Sequence, residues 1–238
     1  MFPLKDNIPT ERFPVVTVAL IVVNALMYFL FQSGGVLSGP DECNIGEFGA
    51  IPREIANPDF HLGACEGNSE PATWLTVFTS MFMHGSILHI GGNMLFLWIF
   101  GNNVEDSMGR VKFLVFYLGG GIAAIAAQTL ADTNAEIPTV GASGAVAAVL
   151  GGYLLLFPRA RVVTVIFLVV FFTIIEIPAL IMLGLWFVQQ IVFGSLDYLQ
   201  PTGDGGGVAY FAHIGGFVFG MLLVKALATR HREEKPLF

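Results

Sequence analysis

Six apolar stretches run along the chain between polar, proline-bearing or glycine-bearing breaks: about Val15 to Phe31, Ser86 to Phe100, Phe113 to Leu130, Ser143 to Phe157, Phe171 to Phe193, and Val208 to Leu227. Apolar runs of roughly 17 to 25 residues are what a hydrocarbon slab of about 30 Å demands of a helix rising about 1.5 Å per residue. The pattern predicts an all-α membrane protein built as a six-transmembrane-helix bundle. Residues 1–14 read as a cytoplasmic N-terminal segment, 15–229 as the membrane domain with a long, partly structured outward loop at 32–79, and 230–238 as a cytoplasmic tail. The first apolar run is too long for a signal peptide and lacks a small-residue cleavage site, so it is expected to stay as a helix.

Composition sharpens this picture. Of 238 residues, 55% are hydrophobic and 12% charged, against about a quarter charged in soluble domains. The formal charge of -7 sits in a few loops and points to no nucleic-acid partner. Lys5, Arg12, Arg110, Lys112, Arg159, Arg161, Lys225, Arg230, Arg232 and Lys235 fall on the face shared with the termini, and only Arg53 falls on the other. Basic residues collect on the cytoplasmic side, so both termini are expected there.

The outward loop is far longer than the usual connection of about 4 to 6 residues. It carries Phe48, Phe60, Leu62 and Trp74, which favour short interfacial elements. It also holds both cysteines, Cys43 and Cys65. An oxidising outer compartment favours a disulfide between them, and two free, partly buried thiols stay open as the other state.

Three stretches carry candidate chemistry. In the second, Ser86 suits a helix N-cap, which places His89 and Asn93 at i and i+4 on one face and leaves His84 in the loop above. Such polar groups inside a membrane are costly and normally face a wet interior. The fourth stretch, Ser143 to the break at Pro158, gives a helix of only about 22 Å. Ser143 is therefore expected below the outer surface, at the floor of a cavity lined by irregular backbone over Pro138 to Ala142. The sixth stretch supplies His213. The stripe His213, Gly216, Gly220 and the stripe Ser143, Ala147, Gly151 are smooth enough to let two helices approach closely. That contact would bring the serine to a base, with the Ser143 N–H, Asn93 and His89 as oxyanion donors. The sixth stretch has no acidic residue, so a Ser-His dyad is expected, its tautomer fixed by packing and a hydroxyl or water. No metal and no cofactor are called for.

The third stretch, with Gly119 to Gly121, reads as a close-packing helix. Val162 to Phe193 is too long for one crossing. The fifth helix is expected from Phe171, with Val162 to Val170 as an extended interfacial segment and Glu176 at the cytoplasmic boundary, within reach of Arg159 or Arg161.

At these residues the chain resembles the rhomboid family of intramembrane serine proteases. The resemblance rests on His84, His89 and Asn93 in the second stretch, Gly141-Ala-Ser-Gly144 opening the fourth, and Ala212-His213 with Gly216 and Gly220 in the sixth. It implies Ser143 as nucleophile, His213 as general base and acid, and Asn93, His89 and the Ser143 N–H as the oxyanion site. His84, Gly141, Gly144, Gly216, Gly220, Trp74 and Glu105 follow as supports of the cavity or of the surrounding structure. It further implies transmembrane protein substrates entering laterally between the second and fifth helices, the lipid bilayer as the other partner, and a prokaryotic cell membrane as the setting. Two positions depart from the family pattern. Leu75 stands where an arginine follows Trp74, and Ala147 stands where an aromatic ring often packs on the histidine, so that His213 is either held less firmly or held by Phe217 or Phe211 instead. Two alternatives accompany this reading: a catalytically inactive relative that binds transmembrane helices, and a small transporter using Glu176, Gln189 and Gln190.

Overall fold

The computed structural model describes residues 2–32, 41–62, 65, 71–168, 171–199 and 207–229. The expected tail at 230–238 lies outside them. The elements run β1 (Phe2–Asp6), α1 (Val15–Leu26), α2 (Glu42–Phe48), α3 (Pro52–Ala56), α4 (Thr73–Thr79), α5 (Ile87–Phe96), α6 (Asn102–Met108), α7 (Arg110–Ala131), α8 (Ser143–Leu156), β2 (Arg161–Leu168), β3 (Phe171–Pro178), α9 (Ala179–Leu199) and α10 (Tyr210–Leu227). Wider π turns over Met27–Gln32 and Leu97–Gly101 extend α1 and α5.

The chain is mostly helical, and among the described residues four helices are long and apolar enough to cross a membrane: Val15–Gln32, α7, α9 and α10. The second and fourth expected spans, α5 and α8, do not reach that length by themselves. α8 is apolar on every side, and each residue from Gly144 to Leu154 is buried. A helix without a polar face belongs at the centre of a bundle. α10 and α7 pack most extensively against it, and the Leu97–Gly101 turn closes another side. Glycines set these distances: a Cβ on Gly120 would overlap Ala148, and one on Gly220 would overlap the Ala148 carbonyl.

One expectation is corrected at the far end of α8: the fifth helix starts at Ala179, not Phe171, because the extended segment expected from Val162 continues as a second strand. β1, β2 and β3 form one antiparallel sheet in that order. β2 and β3 pair from Arg161 opposite Pro178 to Leu168 opposite Phe171, and Phe2 lies opposite Val165 in β1. The cause is composition: these segments are rich in β-branched and aromatic residues, which suit a pleated surface better than a helix. Pro178 then closes the strand and pre-sets the chain for α9. Glu176 is an exposed residue of β3 opposite Val163.

Near this end, Glu105 of α6 caps α1. Its carboxylate accepts from the Val16 N–H at 3.0 Å and from the Thr17 N–H and hydroxyl at 2.8 Å each. Glu105 is buried, and a carboxylate at a helix N-terminus satisfies free N–H groups and complements the helix dipole.

Candidate active site

Ser143 opens α8 and His213 lies in the first turn of α10, so both face the end of the bundle opposite the sheet. The His213 Nε2 to Ser143 Oγ distance is 2.8 Å. The two glycine stripes bring this about. A Cβ on Gly216 would overlap the Gly144 carbonyl, and one on Gly151 would overlap the Phe217 carbonyl. Bare Cα atoms at these positions let α8 and α10 touch backbone to backbone. Gly144 in turn seats against Ala124 of α7. At the head of α10, the Gln128 side-chain carbonyl accepts from the Ala212 N–H at 3.1 Å, satisfying one of the free donors of that first turn.

The backbone leading to Ser143 is irregular and is pinned to the segments that precede α5. Ala50 and Thr139 exchange backbone hydrogen bonds at 3.0 and 2.8 Å, and the Gly141 N–H donates to the Ser80 carbonyl at 2.9 Å. Gly141 has φ of 125°, a conformation open to glycine and strained for other residues. A Cβ there would also lie 2.7 Å from His89 Nε2. Arg53 pairs with Glu136 on the same approach.

Ser86 caps α5 by accepting from the His89 N–H at 3.1 Å. His89 Nδ1 accepts from the Gly85 N–H at 3.4 Å, which leaves the proton on Nε2, the nitrogen turned toward Gly141. Asn93 is 7% exposed and its side-chain nitrogen has no hydrogen-bond partner. An unmet buried donor is expensive. His84 is fully buried and edge-on to His89, with ring centroids 5.1 Å apart. Its Nε2 faces the Ala142 N–H at 3.4 Å. Gln32, at the end of the π turn, clamps the His84 backbone, accepting from its N–H at 2.8 Å and donating to its carbonyl.

His213 is held differently from expectation. Its Nδ1 meets the Gln190 Oε1 of α9 at 2.8 Å, and the ring packed on it is Trp186, with centroids 5.7 Å apart and planes 37° apart. Phe217 instead stacks with Phe187. An amide oxygen carries no proton, so Nδ1 donates and Nε2 is free to accept from the Ser143 hydroxyl. A buried glutamine in an apolar helix was visible in sequence, but its register against α10 was not. Gln189 beside it is exposed.

Two of the expected cavity or structural supports lie away from the dyad. Trp74 is 66% exposed on α4, and Glu105 caps α1 near the opposite end of the bundle. Cys43 and Cys65 are joined by a disulfide, with Cα atoms 6.0 Å apart. Among the described residues no group of three or more His, Cys, Asp or Glu could hold a metal.

A family model for the rhomboid domain matches residues 71–230. The chain belongs to the rhomboid family. Among its relatives, Rhomboid protein 1, mitochondrial, of Saccharomyces cerevisiae is 29% identical over 154 residues, 62% of this chain and 40% of its own length. Presenilin-associated rhomboid-like protein, mitochondrial, of Mus musculus is 33% identical over 147 residues, 60% of this chain and 35% of its own. Rhomboid protease GluP of Bacillus subtilis is 29% identical over 141 residues, 59% of this chain and 24% of its own. The matched part of this chain thus spans less than half the length of these relatives.

Proposed function

We propose that this rhomboid is an intramembrane serine endopeptidase that hydrolyses peptide bonds in or near transmembrane helices of other membrane proteins. The observation that carries the reading is the 2.8 Å contact between Ser143 Oγ and His213 Nε2, in a tautomer set to accept the hydroxyl proton. In this mechanism Ser143 Oγ attacks the substrate carbonyl carbon as its proton passes to Nε2. The oxyanion is met by the Ser143 N–H, the Asn93 amide and His89 Nε2–H. The imidazolium then protonates the leaving amine, and water, activated by the same nitrogen, hydrolyses the acyl-enzyme. The unmet Asn93 donor supports the oxyanion assignment, since a transient anion would give it the partner it lacks.

The proposal includes six membrane-embedded helices, with α5 and α8 as the short ones, over a membrane domain at 15–229, termini on the cytoplasmic side and the site opening outward. Substrate would arrive laterally between α5 and α9. The relatives include a bacterial protein from Bacillus subtilis and yeast and mouse proteins that carry mitochondrial names, so the expected prokaryotic cell membrane is not supported. A prokaryotic setting is therefore not part of the proposed function. The residues that suggested a transporter do not converge: Glu176 is in the sheet, Gln189 is exposed and Gln190 is bonded to His213.

The test is cleavage of a transmembrane substrate in proteoliposomes, together with fluorophosphonate labelling. Wild-type protein is expected to cleave and to label at Ser143, and Ser143→Ala and His213→Ala to do neither. Cleavage by purified Ser143→Ala at the wild-type rate would end the proposal. A wild-type protein that binds transmembrane helices without labelling would favour the inactive relative.

A further inference from the structure

A serine-histidine pair without a carboxylate needs something else to orient the imidazole, and α10 contains none. We propose that Gln190 is the positioning residue for His213, so that seating of α9 on α10 arms the base; this rests on the Ser143–His213 reading above.

Gln190 is 5% exposed on an apolar helix whose Leu185, Val188 and Ile191 are exposed on the surface. An amide buried on such a helix is costly unless its hydrogen bonds are made. It gives its oxygen to His213 Nδ1 at 2.8 Å. Trp186, one turn earlier on the same face, lies against the same ring at 5.7 Å. The seat of α9 is built around these two residues. Phe187 stacks on Phe217 with centroids 4.4 Å apart and planes 14° apart, and Gly194 lets Tyr210 approach so closely that a Cβ would lie 2.9 Å from it. α9 therefore meets α10 one turn on each side of His213. The carbonyl oxygen fixes the tautomer, and the indole limits rotation about the side-chain bonds. Both restraints reach the base from a different helix. Withdrawing α9 from α10 removes them together while leaving Ser143 in place on α8.

The experiment compares Gln190→Leu, Gln190→Glu and Gln189→Leu with wild type in proteoliposomes, each rate normalised to folded protein from size-exclusion and thermal melting. Gln190→Leu keeps the bulk and loses the acceptor. It is expected to lower kcat about 10- to 100-fold with KM within about twofold, the signature of an interaction that acts in the transition state. Gln190→Glu has an acceptor oxygen in either protonation state and is expected to keep more than about half of wild-type kcat, because the Nδ1–H keeps its partner. Gln189→Leu is expected at the wild-type rate. Gln190→Leu at wild-type kcat, or Gln190→Glu falling as far as Gln190→Leu, would overturn the inference while leaving the dyad standing. If wild-type protein neither cleaves nor labels, the dyad reading falls and this inference falls with it. Should Gln190→Leu fail to fold, Gln190→Glu against wild type still decides, since a purely structural amide would not be rescued by a carboxyl.

Discussion

Gly216 of α10 rests on the carbonyl of Gly144 in α8 with no room for a side-chain carbon between them. Gly144 follows the nucleophile and Gly216 lies three residues after the base, so this backbone contact sets the distance between the two reacting groups. Gly216→Val must push the helices apart. It is expected to cost about 1–3 kcal/mol of stability as overpacking and to abolish fluorophosphonate labelling of the protein that remains folded. Gly184→Ala in α9 is the comparison, because a Cβ there meets open space. It should label normally and melt at or slightly above the wild-type temperature, as expected for replacing a helical glycine. Normal labelling by Gly216→Val would sever the link between glycine packing and the site.

The disulfide between Cys43 and Cys65 closes a loop with a sequence separation of 22. Such a cross-link stabilises by about 3 kcal/mol in the chain-entropy description. The loop is tied to the active site through the Ala50 and Thr139 backbone pair. Reduction is therefore expected to lower the melting temperature and to slow turnover, and alkylation of unreduced protein should find no reactive thiol. Two alkylated cysteines without reductant would contradict the bridge.

Asp6 gives a pH dependence at the other end of the molecule. Burial raises its carboxyl from 3.8 to about 6, against the lowering effect of its hydrogen bonds with Tyr153 and Asn103. A carboxyl that holds its proton more tightly when folded stabilises the fold fully below its unfolded value and loses that contribution as pH rises through the folded one. Melting temperature is expected to fall as pH rises from 3.8 to about 6 and to show no further change from this group above that. Asp6→Asn should flatten this slope; a slope unchanged in Asp6→Asn would assign it to another group.

The parts of this architecture legible in sequence are those governed by local periodicity. Ser86 as a cap, the shortness of α8, the irregular approach over 138–142 and the two glycine stripes all follow from residues a few positions apart. The fifth stretch defeated the same logic. Phe171 to Ile177 is as apolar as a helix segment, and a short apolar run without polar alternation does not distinguish buried strand from helix. Its pairing partner is β2, whose other edge is in turn covered by Phe2 to Asp6, from far earlier in the sequence. The support of His213 was hidden for a related reason. Ala147 showed that the usual neighbour was missing, but which face of α9 meets α10 depends on tertiary register. Gln190 and Gln189 are adjacent in sequence and opposite in fate.

Gln32 offers the last test, at a residue the sequence did not single out. The π turn at the end of α1 carries its amide to the His84 backbone, where it both accepts from the N–H and donates to the carbonyl. His84 in turn stands between His89 and the Ala142 N–H, so the clamp fixes the turn on which the oxyanion side of the site is built. Gln32→Leu leaves both His84 backbone groups buried and unpaired, a cost of about 1–3 kcal/mol for each such group. The loss should also reach catalysis, because a looser 83–86 turn lets His89 drift from Gly141. The expected outcome is a lowered melting temperature together with a lower kcat in the folded fraction, measured at a temperature well below the transition. A variant that melts early yet turns over at the wild-type rate would confine Gln32 to stability and remove it from the chain of contacts leading to Ser143.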